Sequence, residues 1–349
     1  MNLYLSRHSY QNTVTEQLWD ALEEASSKPV RRVMSTWTKQ KGYPIISVSA
    51  SRQDNKTIIK LHQQKFRMMG ELSEDDACKL WSVPLQIISA SSIKEFVVND
   101  LMEEREMQLT LDLKPGEWFK LNPSAVCTYR VRYSPELLEG FIGAIKNGSL
   151  PPLDRLSLLD DLFALVLAGK SRTVDLLSFL SAFETEKDYT VWRALNNCLG
   201  KLDQLFAGSD FHPKFAEFGR NLLNRAVFPQ VGWKAKQNEP YLDTLLRPLV
   251  IGRLVSFRDA EVLKECERLF KAHLDGKSIP ADLRAATYKA MAIQADEKIF
   301  DQLLELYEKT EFQEEKNRVS SSLGASQNQQ FIQRVLSFAI SVSELITNF

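Results

Sequence analysis

The chain has 349 residues, more than one compact domain usually takes, so more than one folding unit is expected. Lys and Arg number 44 against 45 Asp and Glu, a net charge of -1; a surface so balanced gives no electrostatic reason to bind nucleic acid or an anionic membrane, and neither is expected as a partner. The start, Met1 to Arg7, lacks the apolar core of a signal peptide, no apolar run is long enough to span a membrane, and Cys78, Cys127, Cys198 and Cys266 are scattered without a CxxC pair, so reduced thiols in the cytoplasm are the expectation.

Residues 1–42 read as helical. Thr13-Val14-Thr15-Glu16 fits a capping box ahead of Gln17-Leu18-Trp19-Asp20-Ala21-Leu22, and Pro29 suits the first turn of a second helix over 30–41. Gly42 and Tyr43-Pro44 stop that helix. Two short amphipathic helices cannot bury both their faces, so this stretch is expected to be the tail of a larger domain outside the chain.

Over 43–133 the period shifts to that of strands. Ile45 to Ala50 and Thr57 to Leu61 flank the turn signal Asp54-Asn55. Val83 to Ile88, Met107 to Leu113, Trp118 to Leu121 and Thr128 to Tyr133 continue the pattern. Six or seven short strands predict a small β-sandwich.

From Ser134 to Phe349 the pattern is helical throughout, opening with Ser134 as N-cap and Pro135 in the first turn. Gly148, Gly169, Gly208 and Gly276 mark helix stops. Ten or eleven helices are expected, with pairs repeating at about 40 residues, the range of HEAT and armadillo repeats. The prediction is therefore a multidomain, mainly α chain with a β domain. It comprises a helical tail (1–42), a β-sandwich (43–133) and a HEAT/armadillo-like α-solenoid (134–349) that stops mid-stack.

Several strings carry a family resemblance. Val33-Met34-Ser35-Thr36-Trp37-Thr38-Lys39-Gln40-Lys41-Gly42-Tyr43-Pro44 comes first, then Trp118-Phe119-Lys120-Leu121-Asn122 and Tyr129-Arg130-Val131-Arg132-Tyr133. Leu153-Asp154-Arg155-Leu156 and Asp161-Leu162-Phe163-Ala164-Leu165 follow, then Tyr189-Thr190-Val191-Trp192, Ala281-Asp282-Leu283-Arg284 and Glu314-Glu315-Lys316-Asn317-Arg318. In this order they resemble the C-terminal half of the gluzincin zinc aminopeptidases, and within that family the cytosolic branch. One departure is Cys127-Thr128, where relatives usually have glycine; the loop here must differ if that glycine holds a positive φ.

The resemblance implies an enzyme that removes N-terminal residues from peptides, using zinc held by HExxH and a later glutamate. None of His8, His62, His212 and His273 begins such a motif, and the GxMEN-like loop that grips a substrate's amino terminus is also absent. No catalytic or metal-binding residue is carried over. Zinc belongs to the complete family enzyme, and the chain is expected to be a catalytically incomplete C-terminal part or paralogue of it, inactive alone, its segments bracing the catalytic domain and walling the peptide chamber. The alternative is a non-catalytic solenoid that binds peptides or its full-length relative.

Arg284 and Arg318 lie in the most family-like helical strings, where a guanidinium could bind a peptide's carboxylate; an ion pair with neighbouring carboxylates is the favoured alternative. Gly169-Lys170-Ser171 imitates the end of a P-loop, but Ala164 stands where glycine is needed, so a helix stop followed by a polar N-cap is expected. Asp160-Asp161 and Glu314-Glu315 point about 100° apart on a helix and are read as solvated faces. The six tryptophans are spaced as core anchors.

Overall fold

The computed structural model describes residues 1–347, with side chains through residue 340. The chain divides into two compact units, residues 1–182 and residues 183 onward.

The first unit opens with helices α1 (Asn2–Arg7), α2 (Thr15–Ser26) and α3 (Val30–Thr38). Seven strands follow: β1 (Pro44–Gln53), β2 (Lys56–Lys65), β3 (Val83–Ser89), β4 (Val98–Met102), β5 (Glu106–Leu111), β6 (Phe119–Leu121) and β7 (Arg130–Tyr133). The short helix α4 (Glu74–Cys78) interrupts them, and α5 (Pro135–Lys146), α6 (Pro152–Leu167) and α7 (Thr173–Leu180) close the unit. The first helices of the long helical stretch thus share a unit with the strands.

The strands form two sheets, ordered β5-β2-β1-β7 and β4-β3-β6. All pairings are antiparallel except β1 with β7. Asp54 and Asn55 join β1 to β2 with φ of 45° and 65°, the two left-handed residues that a tight primed turn demands. Each sheet has one buried stripe: Ile46, Val48, Ile59 and Leu61 in the first, Val83, Leu85, Ile87 and Leu121 in the second. The Tyr133 hydroxyl accepts the Leu121 amide at 2.9 Å and so ties one sheet to the other. On the opposite face of β1, Ile45 packs with Phe66 and with Ala164 and Leu165 of α6.

The second unit holds α8 (Tyr189–Phe206), α9 (His212–Ala226), α10 (Phe228–Val231), α11 (Tyr241–Ser256) and α12 (Ala260–Leu274). It continues with α13 (Arg284–Ile293), α14 (Glu297–Lys309), α15 (Gln313–Leu323) and α16 (Gln329–Thr347). Helices α8, α11, α13 and α15 are successive neighbours, and α9, α12 and α14 pack beside them. Trp192, Leu195, Val250, Leu254, Tyr288 and Phe300 fill the core at 0% exposure.

Local expectations fare unevenly. Gly148, Gly169, Gly208 and Gly276 all have positive φ just past helix ends, as helix stops do. The capping interaction at α2 is displaced by one residue: the Gln17 side chain accepts the Val14 amide at 2.9 Å, because Gln17 rather than Glu16 lies one turn into the helix. The helix expected over 30–41 ends at Thr38. Twelve α-helices follow Tyr133 among the described residues, more than expected, because short α10 carries little periodicity. The end of the helical stretch, expected to stop mid-stack, lies beyond Ile340 and outside the residues whose side chains are described.

Close approach fixes two glycines. A Cβ on Gly219 would lie 2.3 Å from the Phe257 ring, and one on Gly200 would lie 2.2 Å from the Arg253 guanidinium. In a helix, alanine for glycine gains about 1 kcal/mol of propensity, but overpacking a fully buried ring costs about 1–3 kcal/mol. Gly219→Ala is therefore expected to lower stability in urea unfolding; a gain would mean that Phe257 has room to move.

Candidate functional site

Arg284 opens α13 and Arg318 lies in α15, and both side chains meet Glu315. Arg284 donates Nε–H to the Ile279 carbonyl at 3.2 Å, and its Nη1 stands 3.3 Å from Glu315 Oε2. Arg318 donates to Glu315 and Glu314, one helical turn back. Tyr288, one turn after Arg284, donates its hydroxyl to Glu315 Oε1 at 2.6 Å. Burial pushes the Glu315 carboxyl upward, but the Tyr288 hydroxyl and the two guanidiniums outweigh it and hold it below its ordinary value.

The expectation of a solvated Glu314-Glu315 face is thus wrong for Glu315, which is 8% exposed. The backbone directions do diverge. The length of the arginine side chain lets one guanidinium gather both carboxylates.

A second cluster sits in the first unit. All three residues of β6 are buried, and alternation puts Lys120 on the face opposite Phe119 and Leu121. Its ammonium donates to the carbonyls of Leu121 at 3.0 Å and Asn122 at 3.2 Å, and pairs with Asp154 Oδ1 at 3.1 Å. The same Oδ1 accepts the Ser124 amide at 2.7 Å. Burial lowers the proton affinity of Lys120, and Asp154 opposes that shift.

Asp161 lies two turns beyond Asp154 on the same face of α6. Its Oδ2 accepts the Val131 amide at 3.0 Å, and its Oδ1 takes Arg130 Nη1 at 3.0 Å. Asp160 Oδ2 meets that same Nη1 at 2.8 Å. The reading of Asp160-Asp161 as a solvated face holds for Asp160, whose side chain is 57% exposed, and is corrected for Asp161, which is 15% exposed; Arg130, reaching from β7, bridges both. Burial raises the Asp161 carboxyl to about 6, against the pull of the Val131 amide, Arg130 and Lys120.

The loop between β6 and β7 carries left-handed φ at Asn122 (52°), Ser124 (57°) and Ala125 (53°), and neither Cys127 nor Thr128 does. Asn122 holds the loop with its amide group, which donates to the Cys127 carbonyl at 2.8 Å and accepts its amide at 2.9 Å. A cleft of about 320 Å³ lies beside it, lined among others by Tyr43, Cys127, Tyr129, Arg130 and Asp161.

Sequence reasoning missed the Lys120 cluster, although two signals were present. One is a lysine inside an apolar strand string, and the other is a pair of aspartates spaced by two turns on a helix otherwise rich in leucine.

The donor set does not fit a zinc site. His212 pairs with Asp203 at 2.7 Å, His273 faces the Lys277 carbonyl at 3.1 Å, His8 packs on Tyr4, and His62 lies on β2. No three His, Cys, Asp or Glu side chains converge among the described residues. Gly169-Lys170-Ser171 is a helix stop, with Gly169 at φ 67°, and the following helix has Arg172 at its N-cap without a side-chain cap hydrogen bond.

Two measurements follow from the Lys120 cluster. Lys120→Met strands a carboxylate that is 1% exposed, and breaking such a pair costs about 3–5 kcal/mol. Urea unfolding should show a loss of that order, and a loss under about 1 kcal/mol would contradict the burial. For Asp161 the native value, about 6, lies above the usual 3.8, so the folded chain holds the proton more tightly than the unfolded one. Its contribution to stability therefore falls as pH rises between those values, by on the order of 1–2 kcal/mol given its partial exposure. The stability difference between the wild type and Asp161→Asn should shrink over that window; a pH-independent difference would rule the titration out.

Residues 118–348 match the model of the ERAP1-like C-terminal domain. Aminopeptidase M1 of Arabidopsis thaliana is 34% identical over 97% of this chain and 40% of its own length. Puromycin-sensitive aminopeptidase of Caenorhabditis elegans is 32% identical over 90% of this chain and 33% of its own length, and Aminopeptidase M1-A of Oryza sativa is 30% identical over 97% and 39%. The chain thus spans two fifths or less of these relatives. The matched stretch includes the Lys120–Asp154–Asp161 cluster and the Arg284–Glu315–Arg318 cluster, and the chain belongs to the ERAP1-like C-terminal domain family, as an aminopeptidase C-terminal region.

Proposed function

We propose that this chain is the non-catalytic C-terminal part of a cytosolic zinc aminopeptidase of the puromycin-sensitive type, one that removes N-terminal residues from peptides. In this reading it braces the catalytic domain and walls the peptide chamber. The observation that carries the reading is the alignment with aminopeptidases along 97% of the chain, together with the absence of HExxH from its 349 residues. Zinc is assigned to the complete enzyme and to no residue here.

The three-part division into 1–42, 43–133 and 134–349 belongs to the same proposal. The Tyr133–Leu121 bond between the two sheets supports a β-sandwich, and the succession α8, α11, α13, α15 supports a solenoid. Four free cysteines suit a cytoplasmic setting. No helix among the described residues is long and apolar enough to cross a membrane. Arg284 and Arg318 have the chemistry to take a peptide's terminal carboxylate, and Glu315 competes with it for both guanidiniums.

One observation favours a second reading, a non-catalytic module that binds peptides or a full-length relative. Ile332, Leu336 and Ile340 form a stripe at one-turn spacing on α16, at 39%, 53% and 62% exposure.

Purified chain should show neither turnover of an alanyl fluorogenic substrate nor bound zinc on the same sample. Turnover with one zinc per chain, after exclusion of contaminating peptidases, would overturn the reading. Micromolar binding of the chain to a full-length relative without any peptidase activity in the complex would favour the second reading.

A further inference from the structure

A half-buried polar strip crosses α8, α11 and α13 in the second unit. Arg253 of α11 donates Nε–H to Asn196 Oδ1 at 2.9 Å and Nη2–H to the Asn196 carbonyl at 3.1 Å. Gly200 of α8 leaves the space its guanidinium occupies. One turn further along α11, the Ser256 hydroxyl donates to the Gly252 carbonyl at 2.9 Å and accepts from Lys289 Nζ of α13 at 2.7 Å. Lys289 has no carboxylate within ion-pair distance among the described residues.

The charge in this strip does not balance. Asp203 faces Arg253 at 3.9 Å, and its other oxygen is taken by His212 at 2.7 Å from the start of α9. Arg253 and an imidazole therefore share one carboxylate, and Lys289 has none within ion-pair distance among the described residues. Burial lowers the proton affinity of Arg253, and of Lys289, where Arg253 adds to the effect and Asp203 opposes it. An unbalanced half-buried cation is relieved in two ways: an anion binds, or the ammonium gives up its proton. A ligand that carries both an anionic group and an electrophilic carbon meets both conditions at once.

We propose that Arg253, Ser256 and Lys289 form a binding and modification site for small anionic aldehydes. Arg253 holds the anionic group. The Lys289 ammonium first gives a proton to solvent; its lone pair then adds to the carbonyl carbon, the carbonyl π pair moves to oxygen, and the two remaining N–H protons pass to that oxygen, which leaves as water as the C=N bond forms. The product is an imine, with no change in oxidation state. Ser256 orients the amine: its own proton is committed to Gly252, so it accepts an N–H from Lys289 and leaves the lone pair directed elsewhere.

The test is to incubate the whole chain with pyridoxal 5′-phosphate at neutral pH, reduce with borohydride, and quantify labelling at every lysine by peptide mass spectrometry. Burial and Arg253 lower the proton affinity of Lys289, and Arg253 gathers the phosphate beside it, so its labelling should exceed that of the median lysine. The excess should shrink with propanal, a neutral aldehyde, and inorganic phosphate should suppress it selectively. Arg253→Gln should abolish it with the helical circular dichroism retained. If that variant does not fold, the phosphate competition on the wild type decides the matter. Labelling of Lys289 at or below the median, or equal preference for the anionic and neutral aldehydes, would overturn the proposal.

Discussion

Lys120 and Asp154 are 3% and 1% exposed, so neither charge can be left without the other. That constraint shapes the first unit around it. The lysine comes from the last strand of one sheet and the aspartate from the first turn of α6. The loop at Asn122–Ala125 runs between them in a left-handed path that few residues other than glycine adopt readily. The two carbonyls that meet Lys120 belong to buried residues, and the Ser124 amide takes the other side of the pair at Asp154. Strand β6, the loop and α6 are therefore mutually dependent.

Asp161 extends the same dependence to β7. By accepting the Val131 amide it completes a backbone group at the edge of the four-stranded sheet, and by holding Arg130 it lies against the face where Ile45 and Phe66 pack on α6. The helix is thus fixed to the sheet by apolar area and by two aspartates on one face. This explains why α6 shares a unit with the strands although its sequence begins the long helical stretch. The Glu315 cluster repeats the logic in the second unit, where a single buried carboxylate of α15 joins α13 through Arg284 and Tyr288, while Arg318 of its own helix pairs with it.

Most of the strand and helix inventory was legible because it depends on short-range pattern. Alternation marked the β1–β2 hairpin, β3 and β5, and glycines past helix ends marked the stops. Strand β4 escaped, since Asn99 and Asp100 at its centre break the apolar pattern and its place is set by pairing with β3. The clusters were less legible for a similar reason. Asp160-Asp161 and Glu314-Glu315 diverge along the helix backbone, and only an arginine arriving from elsewhere brings each pair together.

The sequence by itself determined the family, the order of strand-rich and helical regions, and the lack of a zinc-binding motif, because each is written in local period or contiguous strings. Tertiary structure alone decided which carboxylates are buried, which arginines they hold, and where the loop after β6 takes its left-handed turns. Those outcomes depend on groups far apart in the chain that meet only after water has been excluded, when an unpaired charge becomes costly enough to dictate its partner.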